Sequence, residues 1–425
     1  MSNGNDAKPG SRVAIISWAM YDWANSAYAA VITTFVFAAY FSNAVVGDPV
    51  AGTEMWGYAI SISGLAVAVL SPILGAIADH IGRRKPWIFL FTAIMAASTS
   101  LLWYTKPDPA YVFWALTLVA LSNLAFEMGN VFYNAMLPSL AGRERIGRVS
   151  GWSWGFGYAG GLVCLALTFV GFVNAEAPWF GLDKETAEHV RVTGPFVGVW
   201  VAVFSVPLFL YTPDRPATGL SMLAAMRQGL ATLGQTLRKI RDYTDVVNFL
   251  IANMIYRDGL VTLFAFGGIY AAGTFGMDFS DLIIFGIGMN VTAGLGATAF
   301  AWIDDWAGPK RTVVISLLCM AVLGSVIIFV DSKAAFLVFT LALGVFVGPT
   351  QAASRSMMAH LAPAAIRTEM FGFYALSGKA TAFVGPAILA WVTAAADSQR
   401  VGMATIIAFF LVGLILLLRV PEVRR

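Results

Sequence analysis

The sequence predicts an all-α membrane protein, with twelve transmembrane helices arranged as two pseudo-symmetric six-helix bundles. Three observations lead there. Of 425 residues, 58% are hydrophobic and only 12% charged, about half the charge of a soluble domain, so lipid must solvate most of the surface. Twelve apolar stretches reach or approach the ~20 residues that cross a bilayer. Finally, a charged stretch between two of them, GAIADHIGRRK at 75–85, returns in weakened form as AWIDDWAGPKR at 301–311, which sets Asp305 under Asp79, Gly308 under Gly82, and Lys310 and Arg311 under Arg84 and Lys85.

The first six stretches lie at 13–42, 55–79, 87–104, 110–138, 150–173 and 194–211. The second six lie at 245–272, 280–303, 312–330, 335–361, 369–395 and 401–419. Each must be a helix, because a lone strand in hydrocarbon leaves its backbone groups unpaired. The resulting organisation is one bundle over 13–211, a connection over 212–243 and a second bundle over 244–419.

Basic residues set the expected orientation. With both termini inside, 19 of the 27 lysines and arginines fall in cytoplasmic segments, among them Lys8, Arg241, Arg424 and Arg425 near the ends and in the middle connection. Only Lys106, Lys184, Arg191, Lys333 and Arg400 fall outside. That asymmetry predicts cytoplasmic N- and C-termini. The polar start, MSNGNDAKPGSR, carries no cleavable signal, so the first span is read as the targeting signal. Compact loops point to a bacterial inner membrane. Cys164 and Cys319 sit in apolar runs without metal-ligand neighbours, so neither a disulfide nor a metal site is expected. With a net charge of only +3, nucleic acid is not an expected partner.

In the middle connection Leu223, Met226, Leu230, Leu233, Leu237 and Ile240 recur at steps of three and four, with Arg227, Arg238 and Arg241 beside the stripe. This predicts an amphipathic helix along the inner membrane face. A flexible linker is the alternative.

The repeated charged stretch reads as a conformational latch. Gly75 permits close approach of a neighbouring helix, Asp79 ends its helix, and Gly82 turns the chain so that Arg83, Arg84 and Lys85 sit at the inner interface. A carboxylate there can accept hydrogen bonds from a neighbouring helix N-terminus and from an arginine. In the second copy Asp305, Gly308 and Lys310 take the same places. A positive-inside loop with a stray aspartate is the bland reading, and recurrence in both halves disfavours it.

The pattern G-x-x-x-D-x-x-G-R-R resembles the loop 2–3 signature of the major facilitator superfamily. YDWANSAY (21–28), FYNAMLP (132–138), GRVSGWSWGFGYAGG (147–161), YRDG (256–259) and QAASRS…FGFYALSGKATAF (351–383) further resemble its vacuole effluxer-like, autophagy-related branch. The resemblance implies the major facilitator fold and, through the fungal members, amino-acid export. The second copy departs from the superfamily pattern, with Ala301 for the leading glycine and Pro309 for an arginine.

The residues themselves point to a central site. Charged groups inside a membrane are costly, about 2.5–3.5 kcal/mol each on insertion scales, and normally face a cavity or one another. The first span sets Asp22, Asn25, Ser26, Ala29 and Thr33 on one face, with Tyr28 beside it. The fourth sets Asn123, Glu127, Asn130 and Asn134 on another. Asp258 with Arg257, Arg355 and Lys379 complete a balance of three acids (Asp22, Glu127, Asp258) and three bases. A purely structural Arg257–Asp258 pair, and helix-to-helix amide bonds from Asn130 and Asn134, are the alternatives. Tyr28 either lines the cavity or anchors the interface. Gly151, Gly155, Gly157 and Gly161 read as close-packing positions.

Together these features predict a secondary transporter with a small-molecule substrate bound near the midplane, an amino acid by the family resemblance, and a proton as candidate coupling ion. Sugars or organic cations are the alternative substrates, and a non-transporting receptor or scaffold the alternative class. No cofactor is expected: GxxxxGK[ST] is absent, so ATP is not expected to drive transport, and no Ser/His/Asp set or HExxH pattern marks an intramembrane enzyme. The chain is expected to be a non-enzyme and a monomer in the bilayer.

Overall fold

The computed structural model describes residues 10–277 and 279–422, without the side chains of 240, 241, 279, 280 and 283. Lys8, Arg424 and Arg425, counted above toward orientation, lie outside the described residues, as do the side chains of Ile240 and Arg241. Among the described residues there are helices and connections but no strand. Among the described residues eleven helices are long and apolar enough to cross a membrane. They are α1 (Arg12–Val46), α2 (Pro49–Ile81), α3 (Lys85–Tyr104), α4 (Pro109–Leu140), α5 (Arg143–Val173), α6 (Glu188–Tyr211), α8 (Thr244–Phe275), α9 (whose spanning part is Ile284–Ala307), α10 (Pro309–Phe329), α11 (Lys333–Leu361) and α14 (Gln399–Leu418). The connection helix α7 is Met222–Arg238.

The eleventh predicted span is broken. The sequence predicts one helix over 369–395, whereas the structure has α12 (Arg367–Ser377) and α13 (Val384–Ala396) with turns between them. Across the break the four-apart backbone ladder gives way to three-apart bonds, Lys379 N–H to Leu376 C=O at 3.0 Å and Val384 N–H to Thr381 C=O at 2.7 Å. Gly378, Gly385 and Pro386 flank or enter the break, and the proline lacks an N–H to continue the ladder.

Local chemistry explains the starts. Ser11, Ser221 and Ser332 accept the N–H groups of Ala14, Ala224 and Ala335, capping α1, α7 and α11. Pro86 and Pro309 stand in the first turns of α3 and α10, where a missing N–H costs nothing. In the loop before α6 Asp183 accepts from the hydroxyl of Thr186 and the N–H groups of Glu185 and Thr186. The Thr186 hydroxyl leads in holding that carboxyl below its usual range.

The chain divides into two compact units. The first takes Met1–Leu70, Ile81–Gly142 and Phe156–Leu220. Its core stacks Trp18 on Tyr133 at 4.4 Å, and Trp87 and Phe91 on Phe132 at 5.4 and 5.8 Å. The second takes Ser71–His80, Arg143–Gly155 and Ser221–Arg425. Its core holds the fully buried Phe249 and Tyr256, with the Tyr256 hydroxyl 2.6 Å from that of Ser354. Within this unit α7 packs through small residues: Ala225, Gly229 and Thr236 are buried, and Gly229 lies against the backbone of Ile77. Leu223, Met226, Leu230 and Leu237 of the apolar stripe are exposed.

Candidate functional site

In the first unit α1 and α4 carry the polar faces. Asn25 donates to Asn130 Oδ1 at 2.8 Å, and Tyr28 shares a 2.7 Å hydroxyl bond with Ser122. Asn123 turns aside and donates to Ser63 at 2.6 Å. Asp22, Glu127 and Asn134 are half-buried on the same helices. At Tyr28 α1 widens into a π-helical stretch that runs to Phe35, a distortion that recurs at functional sites. On α5, Gly157 lies against Ser26 and Asp22, and Gly161 against Ser26, so both serve close packing on α1.

In the second unit the broken helix gathers a charged cluster. Arg257 stacks 5.8 Å from the ring centre of Tyr374 and lies against Gly378. Asp258 is 1% exposed. Lys379 is half-buried inside the break. Asn253 donates to Ser377 at 3.0 Å, closing the base of the cluster. Arg355, also expected among the solute-binding residues, has partners on α5. Its Nε donates to Ser150 Oγ at 2.9 Å, an Nη to Ser150 C=O at 2.7 Å, and the guanidinium lies 5.6 Å from the Trp154 ring centre. At 2% exposure it ties α11 to the start of α5.

The charged stretches are held by helix N-termini. Asp79 accepts from Thr368 N–H at 2.7 Å, Thr368 Oγ1 at 2.7 Å and Glu369 N–H at 3.0 Å, at the start of α12. A Cβ on Gly75 would stand 2.6 Å from Thr368 C=O, so only glycine lets α2 come this close. In the second copy Asp305 accepts from Arg148 N–H at 2.9 Å and pairs with its Nε at 3.1 Å, at the start of α5. Here Gly151 of α5 faces Ala301, so the small residue missing from the motif is supplied by the opposite helix. Gly308 takes a positive φ of 96°, while Lys310 donates to Leu418 C=O at 3.1 Å and Arg311 pairs with Glu422 at 2.7 Å.

Arg84 differs from the expectation of a row of interfacial cations. It is 1% exposed while Arg83 is exposed. Gly82, at φ 88°, turns the chain beneath Pro216, and Thr218 N–H donates to Ile81 C=O at 3.1 Å. Asp214 then accepts the N–H groups of Arg84 and Lys85, each at 3.0 Å, and stands in for the missing cap of α3. Segment 212–220 is therefore a strap over the turn. Asp214→Ala is expected to lower stability by about 1 kcal/mol, the typical loss of a helix cap, read as a drop in melting temperature in detergent. An unchanged melting temperature would show that water replaces it at no cost.

Sequence reasoning missed Asp214, Thr368, Ser150 and Asp304. Asp304 is 4% exposed, lies beside Gly147 and accepts from Ser356 at 3.3 Å. Its signal was present, since DD at 304–305 doubles the acid of the repeat. The other three carry no pattern.

Residues 43–425 match the family described as "Vacuole effluxer Atg22 like". The chain belongs to the Atg22-like family. It is 28% identical over 411 residues to the uncharacterized MFS-type transporter YxiO of Bacillus subtilis, covering 96% of this chain and 94% of that protein. Autophagy-related protein 22 of Kluyveromyces lactis is 24% identical over 393 residues, covering 84% and 77%. Among solved structures, the proton:xylose symporter XylE matches with a TM-score of 0.73 at 13% identity, covering 96% of both chains. The human organic anion transporter MFSD10 matches at 0.70 and 15%, covering 96% and 100%. At these identities the structures show the fold alone. This Atg22-like chain is an integral membrane protein of the major facilitator superfamily, a transporter family, with its twelve-helix fold.

Proposed function

We propose that the chain is a secondary active transporter moving a small zwitterionic solute, an amino acid, by alternating access, with a proton as coupling ion. The observation that carries this reading is the broken α12–α13 helix. Broken spans recur where transporters bind solutes, because a helix break offers backbone groups and helix ends at membrane depth. Here the break adjoins two cations, Arg257 and Lys379, and the buried acid Asp258. Such a set matches both ends of a zwitterion: cations for its carboxylate, an acid for its ammonium. On the other unit Asp22 and Glu127, flanked by Asn25, Asn130 and Asn134, supply a second polar face that suits amine contact or proton exchange. Asp79 and Asp305, with Gly75, Gly82 and Gly308, act as the latch.

The same reading orients the protein with both termini cytoplasmic in a bacterial inner membrane, and lays the exposed leucines of α7 along the inner surface. The experiment is uptake of a labelled amino-acid panel into proteoliposomes, with and without an inward proton gradient. It compares the unaltered protein with Asp258→Asn and Glu127→Gln. Uptake of one amino-acid class that rises with the gradient, and loses that dependence in one variant, is the expected result. Folded protein that moves no amino acid overturns the substrate, and failure with sugars and organic cations too would favour a receptor.

A further inference from the structure

A groove of about 700 Å³ lies in the first unit, away from the polar faces of α1 and α4. Its walls come from the start of α3 (Arg83, Lys85, Phe89), the end of α6 (Val206, Phe209) and Arg215 of the strap. Phe89 and Phe209 meet edge to face at 5.6 Å, while Phe89 is 62% and Val206 44% exposed. The floor is therefore apolar and open along the sides of two spanning helices.

The mouth is basic. Arg83 is exposed and makes no hydrogen bond or ion pair among the described residues. Lys85 Nζ donates to Phe209 C=O at 2.9 Å, which fixes its ammonium at the rim. Asp214 also lines the groove, but its oxygens already accept the N–H groups of Arg84, Lys85 and Arg215. Three cations against one engaged carboxylate leave a positive mouth, and the N-terminal end of α3 adds its partial positive charge.

We infer that this groove binds the headgroup of an anionic phospholipid. The phosphate sits among Arg83, Lys85 and Arg215, and the glycerol and first acyl methylenes lie along Phe89, Val206 and Phe209. Charge alone would serve free phosphate equally. The lipid is favoured because the apolar floor opens where α3 begins and α6 ends, at the ends of two helices long and apolar enough to cross a membrane. A phosphate there meets cations, and acyl carbons meet the apolar side chains of the floor.

The test uses the full chain in detergent with a photoactivatable phosphatidylglycerol. Unlabelled phosphatidylglycerol, phosphatidylcholine and glycerol 3-phosphate are the competitors. Cross-links are expected within 83–89 and 206–216, displaced by phosphatidylglycerol well before phosphatidylcholine and not by glycerol 3-phosphate. Arg83→Gln is expected to weaken phosphatidylglycerol binding about fivefold, the contribution of one cation near an anionic surface, with the melting temperature unchanged. Arg83→Gln with Arg215→Gln should weaken it by more than about tenfold. Equal displacement by phosphatidylcholine, displacement by glycerol 3-phosphate at the concentration of the lipid, cross-links elsewhere, or unaltered affinity of Arg83→Gln each overturns the assignment.

Discussion

Asp79→Ala is expected to lower the initial rate of solute uptake by at least about tenfold and to destabilise the protein measurably. The carboxylate collects three hydrogen bonds from the first residues of α12, two of them backbone N–H groups. Thr368 and Glu369 are fully buried, so alanine would leave donors without water or protein partners. Each unsatisfied buried group costs about 1–3 kcal/mol, although bonds inside membranes often contribute less, near 0.6 kcal/mol on average. A total loss of about 2 kcal/mol corresponds to a shift of roughly thirtyfold between two arrangements. Asp79→Asn retains an acceptor and should fall between the two. Gly75→Val should mimic the alanine by wedging the helices apart. Hydrogen exchange of the amides at 367–372 reads the contact without knowledge of the solute. If those amides stay protected in Asp79→Ala, the carboxylate is not what holds this helix start.

Arg355→Lys is the second. Sequence reasoning placed Arg355 among the residues that meet a substrate carboxylate, whereas its guanidinium is engaged by Ser150 and Trp154. A lysine cannot reproduce the planar fork or the stacking on an indole. Hydrogen bonds from a charged donor contribute about 1.5–3 kcal/mol each, so a loss on the order of 3 kcal/mol is expected, seen as a lower melting temperature and a lower maximal rate. The solute concentration for half-maximal uptake should stay the same. A raised half-maximal concentration with unchanged stability would return Arg355 to the binding site.

Much of the fold was legible because hydropathy reports the spans directly, and the doubled charged stretch reports the repeat. The distortions at 28–35 and 378–383 escaped. A π-helical stretch in α1 changes hydrogen-bond partners without changing composition, so YAAVITTF reads as ordinary helix. The break at 378–383 had a signal in Gly378, Gly385 and Pro386, but the surrounding residues are apolar enough that the window average hid it. For the site, spacing on single helices puts Asn123, Glu127, Asn130 and Asn134 along one face of α4 and sets Arg257 beside Asp258 on α8, since those residues share an element. It could not reveal which partner each would meet. Asn123 turned to Ser63 and Arg355 to Ser150, choices set by neighbours 60 and 205 positions away. Nor could it find Asp214, which acts on a turn 129–130 residues earlier through backbone N–H groups that any residue type would offer.

The strap over the Gly82 turn decides where the polypeptide tolerates being cut. A protease site, an epitope or a split into two co-expressed pieces placed near Asp214 or Pro216 would release the cap of α3 and the cover of Gly82 together. Gly219, exposed at φ 80° with no neighbour where a side chain would stand, offers a scission point past the strap residues that hold the turn and ahead of the Ser221 cap. Fragments ending and starting there keep every hydrogen bond described for 81–85, so complementation by two separately encoded pieces is best attempted at that junction.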